Sequence, residues 1–141
     1  MKLWLLDASI FLASEDSDDK YHGDSRRLLE GGDPLATLDL VFYEITNVAV
    51  RSWRDPLAAR RLCERVNAVT DDGGLVRAES SLLASAVNIA DEHGISVYDA
   101  AYVAAARALS SQLVSCDVRD LVSRGLACLP GEATSSQVNS E

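Results

Sequence analysis

The chain has 141 residues, 48% of them hydrophobic and 25% charged, which suits one globular domain with a real core and is too short for two. Its net charge of −9, from 13 basic and 22 acidic residues, argues against a broadly basic phosphate-binding surface. Apolar runs are too short to span a membrane and no signal-peptide pattern opens the chain, so the expected location is the cytoplasm.

Leu3-Trp4-Leu5-Leu6 is apolar without alternation, as expected of a strand buried on both faces in a parallel sheet. It stops at Asp7-Ala8-Ser9, and Ile10–Ala13 reads as a short helix. Glu15–Lys20 is an acidic loop, and Asp24–Glu30 is a helix closed by Gly31-Gly32. Leu35–Leu38 reads as a second strand. Asp39 is placed to cap a helix from about Leu40 to Trp53, and Asp55-Pro56 opens another that reaches about Val69. The turn Asp72-Gly73-Gly74 leads into a weak strand, Leu75–Ala78. Ser80–His93 is helical up to Gly94, and Ser96 opens the Ala-rich helix Val97–Leu109. Gln112–Cys116 is a strand ended by Asp117, Val118–Arg124 a last helix, and Ala127–Leu129 a short strand. Residues 131–141 are polar and read as a flexible tail beyond a domain of residues 1–130. Cys63, Cys116 and Cys128 show no paired short spacing, so three reduced, mostly buried thiols are expected.

Strands that alternate with helices imply a parallel sheet, and sites in such sheets form beyond the carboxyl ends of the strands. That rule selects among the acids. Asp7 and Asp117 each end a strand, so they share one rim. Asp99 lies in the first turn of the Ala-rich helix. Glu44 sits at the border of the apolar stripe Val41, Ile45, Val48 and Ala49, with Asn47 on the same side. Capping explains Asp7, Asp117 and Asp99 individually, and is compatible with a site, because a helix N-terminus favours an anion. Carboxylates gathered within roughly 6 Å repel by about 3 kcal/mol per pair, so such a cluster takes up protons or a cation. All-oxygen ligands favour Mg²⁺, with Mn²⁺ as the alternative, over zinc, and suit phosphodiester hydrolysis.

Leu5-Leu6-Asp7-Ala8-Ser9, Tyr43-Glu44-Ile45-Thr46-Asn47, Tyr98-Asp99-Ala100-Ala101-Tyr102 and Ser115-Cys116-Asp117 fall in the order and spacing of PIN domains. The sequence looks most like VapC toxins of type II toxin–antitoxin pairs, over roughly residues 2–129. Each motif alone is a weak signal; the four in order are specific. The resemblance implies a three-layer α/β/α PIN domain with a central, mainly parallel sheet. It implies Mg²⁺-dependent endoribonuclease activity on structured RNA such as tRNA or rRNA. Asp7 and Asp99 match the principal metal ligands, and Glu44 and Asp117 the remaining acids, bound directly or through water. Ser9 and Ser115 match supporting hydroxyls and Asn47 a supporting amide. Asp120 is a further acid that either substitutes for Asp117 or assists it. A homodimer restrained by a basic VapB-type antitoxin is also implied, which would account for the negative charge.

Arg51, Arg54, Arg60, Arg61 and Arg65 form a basic stretch, read as either a solvated helix face or a grip on RNA phosphates. His22 and His93 are isolated. Trp4 is expected in the core, Trp53 in the core or at a dimer contact, and Tyr98 and Tyr102 in core packing or base stacking. Two other functions compete. One is a non-catalytic PIN-like module that binds a partner. The other is a phosphoryl-transfer domain, opposed by Ser9 where a phosphatase needs a second acid and by the lack of any lysine beyond Lys2 and Lys20.

Overall fold

The computed structural model describes residues 2–139. Its centre is a four-stranded sheet in the order β3-β2-β1-β4, from β1 (Trp4–Leu6), β2 (Leu35–Leu38), β3 (Leu75–Val76) and β4 (Gln112–Val114). Every pairing is parallel, with Leu5 opposite Ala36 on one side and Leu113 on the other. The helices are α1 (Ala8–Glu15), α2 (His22–Glu30), α3 (Val41–Arg51), α4 (Pro56–Val69), α5 (Ser80–His93), α6 (Val97–Ala108) and α7 (Pro130–Asn139). A π-helix, Val118–Val122, follows β4.

Three layers follow from the pleat of β1. Trp4 and Leu6 face one core with Phe11 of α1, Leu28 of α2, Ile45 of α3 and Leu62 of α4. Leu5 faces the other with Ile89 of α5 and the buried face of α6. All three β1 residues are buried, which is why the run is apolar without alternation. Gly74 is required where the chain enters β3, because a Cβ there would lie 2.2 Å from the Leu35 carbonyl oxygen.

Several helix ends follow the sequence. Pro56 opens α4 behind Asp55, whose carboxylate accepts the Ala58 N–H at 3.1 Å. Gly94 ends α5 in the left-handed conformation, with φ 66°. Others differ from expectation. Helix α1 starts directly after Asp7 and runs to Glu15, two turns where a shorter helix is expected. Asp39 does not cap α3; it reaches across to the Ala78 N–H at 3.1 Å. The segment after Asp117 is a π-helix rather than an α-helix, with the Ser123 N–H bonded to the Val118 carbonyl at 2.8 Å. Ala127–Leu129 contributes only one bridge, Cys128 beside Val114. The expected tail begins as α7, whose Ala133 is buried in the core shared with α2; residues 140 and 141 lie outside the described part. The three thiols are free but only partly buried. No helix among the described residues is long and apolar enough to cross a membrane.

Candidate active site

Because the strands are parallel, the segments leaving β1 and β4 emerge at one rim. Asp7 follows β1 immediately, and its Oδ1 accepts the Ser9 N–H at 3.0 Å as the cap of α1. The Ser9 hydroxyl donates to the same oxygen and accepts the Cys116 N–H at 2.8 Å. Ser115 Oγ lies 3.4 Å from Ser9 Oγ and accepts the Asp117 N–H at 3.0 Å. These bonds fasten the loop after β4 to the loop after β1. Asp117 then caps the π-helix by accepting the Asp120 N–H at 3.0 Å. Capping and membership of the rim therefore coincide for both aspartates.

Helices bring the other acids. Asp99 stands in the first turn of α6, where its N–H is held by Ser96 Oγ at 3.0 Å. Glu44 stands in the first turn of α3 and accepts a hydrogen bond from the Tyr102 hydroxyl at 2.5 Å. Carboxylate oxygens of Asp99, Asp117 and Asp120 all lie within 4.8 Å of one another. Asp7 is outside that triad but close enough to Asp99 to feel its charge. Asp99 is thus the hub, repelled by Asp117, Glu44 and Asp120 and in turn repelling Asp7.

The electrostatics record that crowding. Burial pushes the Asp7 carboxyl up to about 7; hydroxyls of Ser115 and Ser9 oppose the rise, and the Asp99 charge adds to it. Burial, followed by the charges of Asp117, Glu44 and Asp120, raises Asp99 to about 6. Burial raises Glu44 as well, against the pull of the Tyr102 hydrogen bond. Burial, with the facing Glu44 charge, holds the Tyr102 phenol far above its ordinary value, so the hydroxyl serves as a neutral donor. Among the described residues, no basic side chain pairs with Asp7, Glu44, Asp99 or Asp117; Asp120 has only the exposed Arg119, at 4.0 Å. A group of acids with so little cationic compensation, all offering oxygen, fits a hard divalent cation.

Asn47 is exposed one turn after Glu44, without a hydrogen bond to these acids among the described residues. Asp120 belongs to the group as closely as Asp117 does. Tyr102 packs in the core, one of its two expected readings, but the role of its hydroxyl was not legible in the sequence. Its ring is core, its hydroxyl reaches Glu44, and it follows Asp99 by three positions, one turn along the same side of α6. Tyr98, by contrast, is 64% exposed. Of the basic stretch, Arg61 and Arg65 are engaged by Glu15 at 2.6 and 3.9 Å, while Arg51, Arg54 and Arg60 remain exposed. Trp4 is core and Trp53 packs partly buried against it. His22 Nδ1 meets the Ala13 carbonyl at 2.8 Å and His93 lies beside Glu92; both stand apart from the acids.

The PIN domain family model matches residues 4–123. No curated protein sequence matches the chain. Solved structures with the same fold include PAE2754 from Pyrobaculum aerophilum, with TM-score 0.70, 23% identity, and 99% of this chain and 91% of that one covered. The Mycobacterium tuberculosis toxin VapC20, described as cleaving the sarcin–ricin loop, gives TM-score 0.68 and 21% identity over 82% of this chain and 91% of its own. A toxin–antitoxin complex from Klebsiella pneumoniae gives TM-score 0.65 and 16% identity, covering 89% of this chain and 96% of that one. The family match runs from the first residue of β1 to just past the π-helix that carries Asp120, so the chain belongs to the PIN domain family.

Proposed function

We propose that the chain is the VapC-type toxin of a type II toxin–antitoxin pair, an Mg²⁺-dependent endoribonuclease that cuts RNA phosphodiester bonds, with tRNA or rRNA as the substrate class. The observation that carries this reading is the buried carboxyl of Asp7 beside half-buried Asp99, Asp117 and Asp120 with so little cationic compensation. Asp7 and Asp99 would hold the metal directly, and Glu44 and Asp117 directly or through water. Asp120 would share or take over the part of Asp117. Mn²⁺ fits the same oxygens. When bound, the ion supplies charge neutralisation at the phosphate and a lowered pKa for the attacking water.

The chain's own residues prepare that chemistry. Ser9 holds Asp7 Oδ1 by two donors, its N–H and its hydroxyl, which fixes the direction of the carboxylate. Ser115 and the Cys116 N–H keep the β4 loop, and with it Asp117, against Ser9. Tyr102 holds Glu44. Burial of Asp7 keeps bulk water from its side of the pocket. Asn47, exposed on α3, would be open to substrate rather than bracing the acids.

VapC20 is described as an RNA-cleaving toxin, which supports RNA as the substrate. Structural neighbours seen as toxin–antitoxin complexes support a VapB-type antitoxin as partner. A basic antitoxin segment suits a protein of net charge −9. A homodimer completes the proposal. The test is incubation of purified protein with total RNA, with and without Mg²⁺, and mapping of new 5′ ends. Asp7→Asn and Asp99→Asn are each expected to reduce cleavage by about a thousandfold or more with the fold retained. Metal-dependent cleavage retained in both variants contradicts the assignment. Wild-type protein that neither binds Mg²⁺ nor cuts RNA returns the chain to the reading of a non-catalytic partner-binding module.

A further inference from the structure

Glu44 has the longest side chain of the acids at the rim, and left alone it would be the least ordered. One of its oxygens, Oε1, is held by the Tyr102 hydroxyl at 2.5 Å. The Tyr102 ring is 1% exposed and packs in the core with Leu5, Leu38 and Leu113, so this hydroxyl is a fixed point. The carboxylate therefore approaches the pocket with Oε1 engaged, while Oε2 accepts no hydrogen bond among the described residues. Mg²⁺ demands a small, near-octahedral shell that single carboxylate oxygens satisfy, whereas Ca²⁺ readily takes both oxygens of one carboxylate.

Building on the metal-dependent reading above, we infer that Tyr102 is a positioning residue that sets the preference for Mg²⁺ over Ca²⁺, by holding one oxygen of Glu44 so that only the other is offered to the ion. Core packing alone would need the ring but not the hydroxyl. Tyr102→Phe separates the two roles, since it keeps the shape and removes only the hydrogen bond.

The test is calorimetric titration of the purified full chain with MgCl₂ and, separately, CaCl₂. Tyr102→Phe is expected to keep the wild-type far-UV circular dichroism and to lose about tenfold in Mg²⁺ affinity. Its Ca²⁺ affinity holds or rises, so the Mg²⁺/Ca²⁺ preference falls about tenfold. Combined with Glu44→Ala, the substitution adds nothing beyond Glu44→Ala alone, because it acts through that carboxylate. An unchanged preference in Tyr102→Phe, or full additivity in the double variant, overturns the inference. Should Tyr102→Phe fail to fold, Glu44→Asp draws the carboxylate back from the hydroxyl without touching the core. The same fall in preference is then expected, and an unchanged preference overturns the inference. Wild-type protein that binds neither cation overturns the metal-dependent reading and this inference together. Wild-type protein that binds Mg²⁺, paired with a variant of unchanged preference, overturns the inference alone.

Discussion

Asp7 is held in conflict. A carboxyl in the unfolded chain titrates near 3.8, whereas in the fold burial raises Asp7 to about 7, and burial followed by the neighbouring acids raises Asp99 to about 6. Both folded values exceed the unfolded ones. Between about pH 4 and pH 7 the native state therefore keeps protons that the unfolded chain gives up, and this contribution destabilises the metal-free protein as pH rises. In EDTA, the urea midpoint is expected to fall from pH 5 to pH 8. Asp7→Asn, which has no charge to bury, should flatten much of that slope and stabilise the fold at pH 8 by roughly 1–4 kcal/mol. A wild-type midpoint that rises over this range, with Asp7→Asn following it, would contradict the account. The same protons must leave when a cation binds, so Mg²⁺ affinity should climb from pH 5 to about pH 7 and then level off. Calorimetry in buffers of different ionisation enthalpy would count the protons released. Ser9→Ala removes a donor to Asp7 and the acceptor of the Cys116 N–H, and should cost about 1–3 kcal/mol in a denaturant titration. The place of Asp7 directly after β1 was legible from local pattern; Asp117 was expected to end a strand Gln112–Cys116, but β4 stops at Val114 and Asp117 follows three residues later, still beyond the same strand. The Tyr102–Glu44 bond was not legible, because its partners are 58 residues apart and stand on helices that belong to the two different cores flanking the sheet.

Among the elements, chemistry at the ends decided what could be read. Asp55-Pro56 and Gly94 act through their own neighbours, so α4 starts and α5 stops where the sequence indicates. Asp55→Ala is expected to cost about 1 kcal/mol through the lost cap. Gly94→Ala is expected to cost about as much through the left-handed backbone. Urea titration measures both, and a change below a few tenths in either would show that its cap is idle. Asp39 has the right residue type for a cap, but a tertiary acceptor role toward the Ala78 N–H takes it away from α3. The π-helix was unreadable because five residues cannot distinguish one hydrogen-bond period from another. It nevertheless matters, because it carries Asp120, which joins its cap Asp117 among the clustered acids. Helix α7 was missed because its sequence is polar; packing of Ala133 into the core, rather than propensity, accounts for it.

At the scale of the molecule, the net charge of −9 and the acidic rim point the same way. Anything cationic that binds only the folded chain should stabilise it, by about 2.7 kcal/mol at a hundred times its dissociation constant. The melting temperature should therefore rise with added MgCl₂ at pH 7.5, and the rise should vanish in an Asp7→Asn, Asp99→Asn double variant. An equal rise in that variant would assign the effect to general salt screening. The sheet order has a separate consequence. β1 is central, with β2 on one side and β4 on the other. Asp7 gains the company of Asp117 and Asp120 only when the strand beginning at Gln112 has slotted in beside it. Proteins emerge from the ribosome amino-terminus first. If the acids cut RNA, a half-translated chain is harmless to the machinery that is making it, and danger begins with the arrival of the fourth strand.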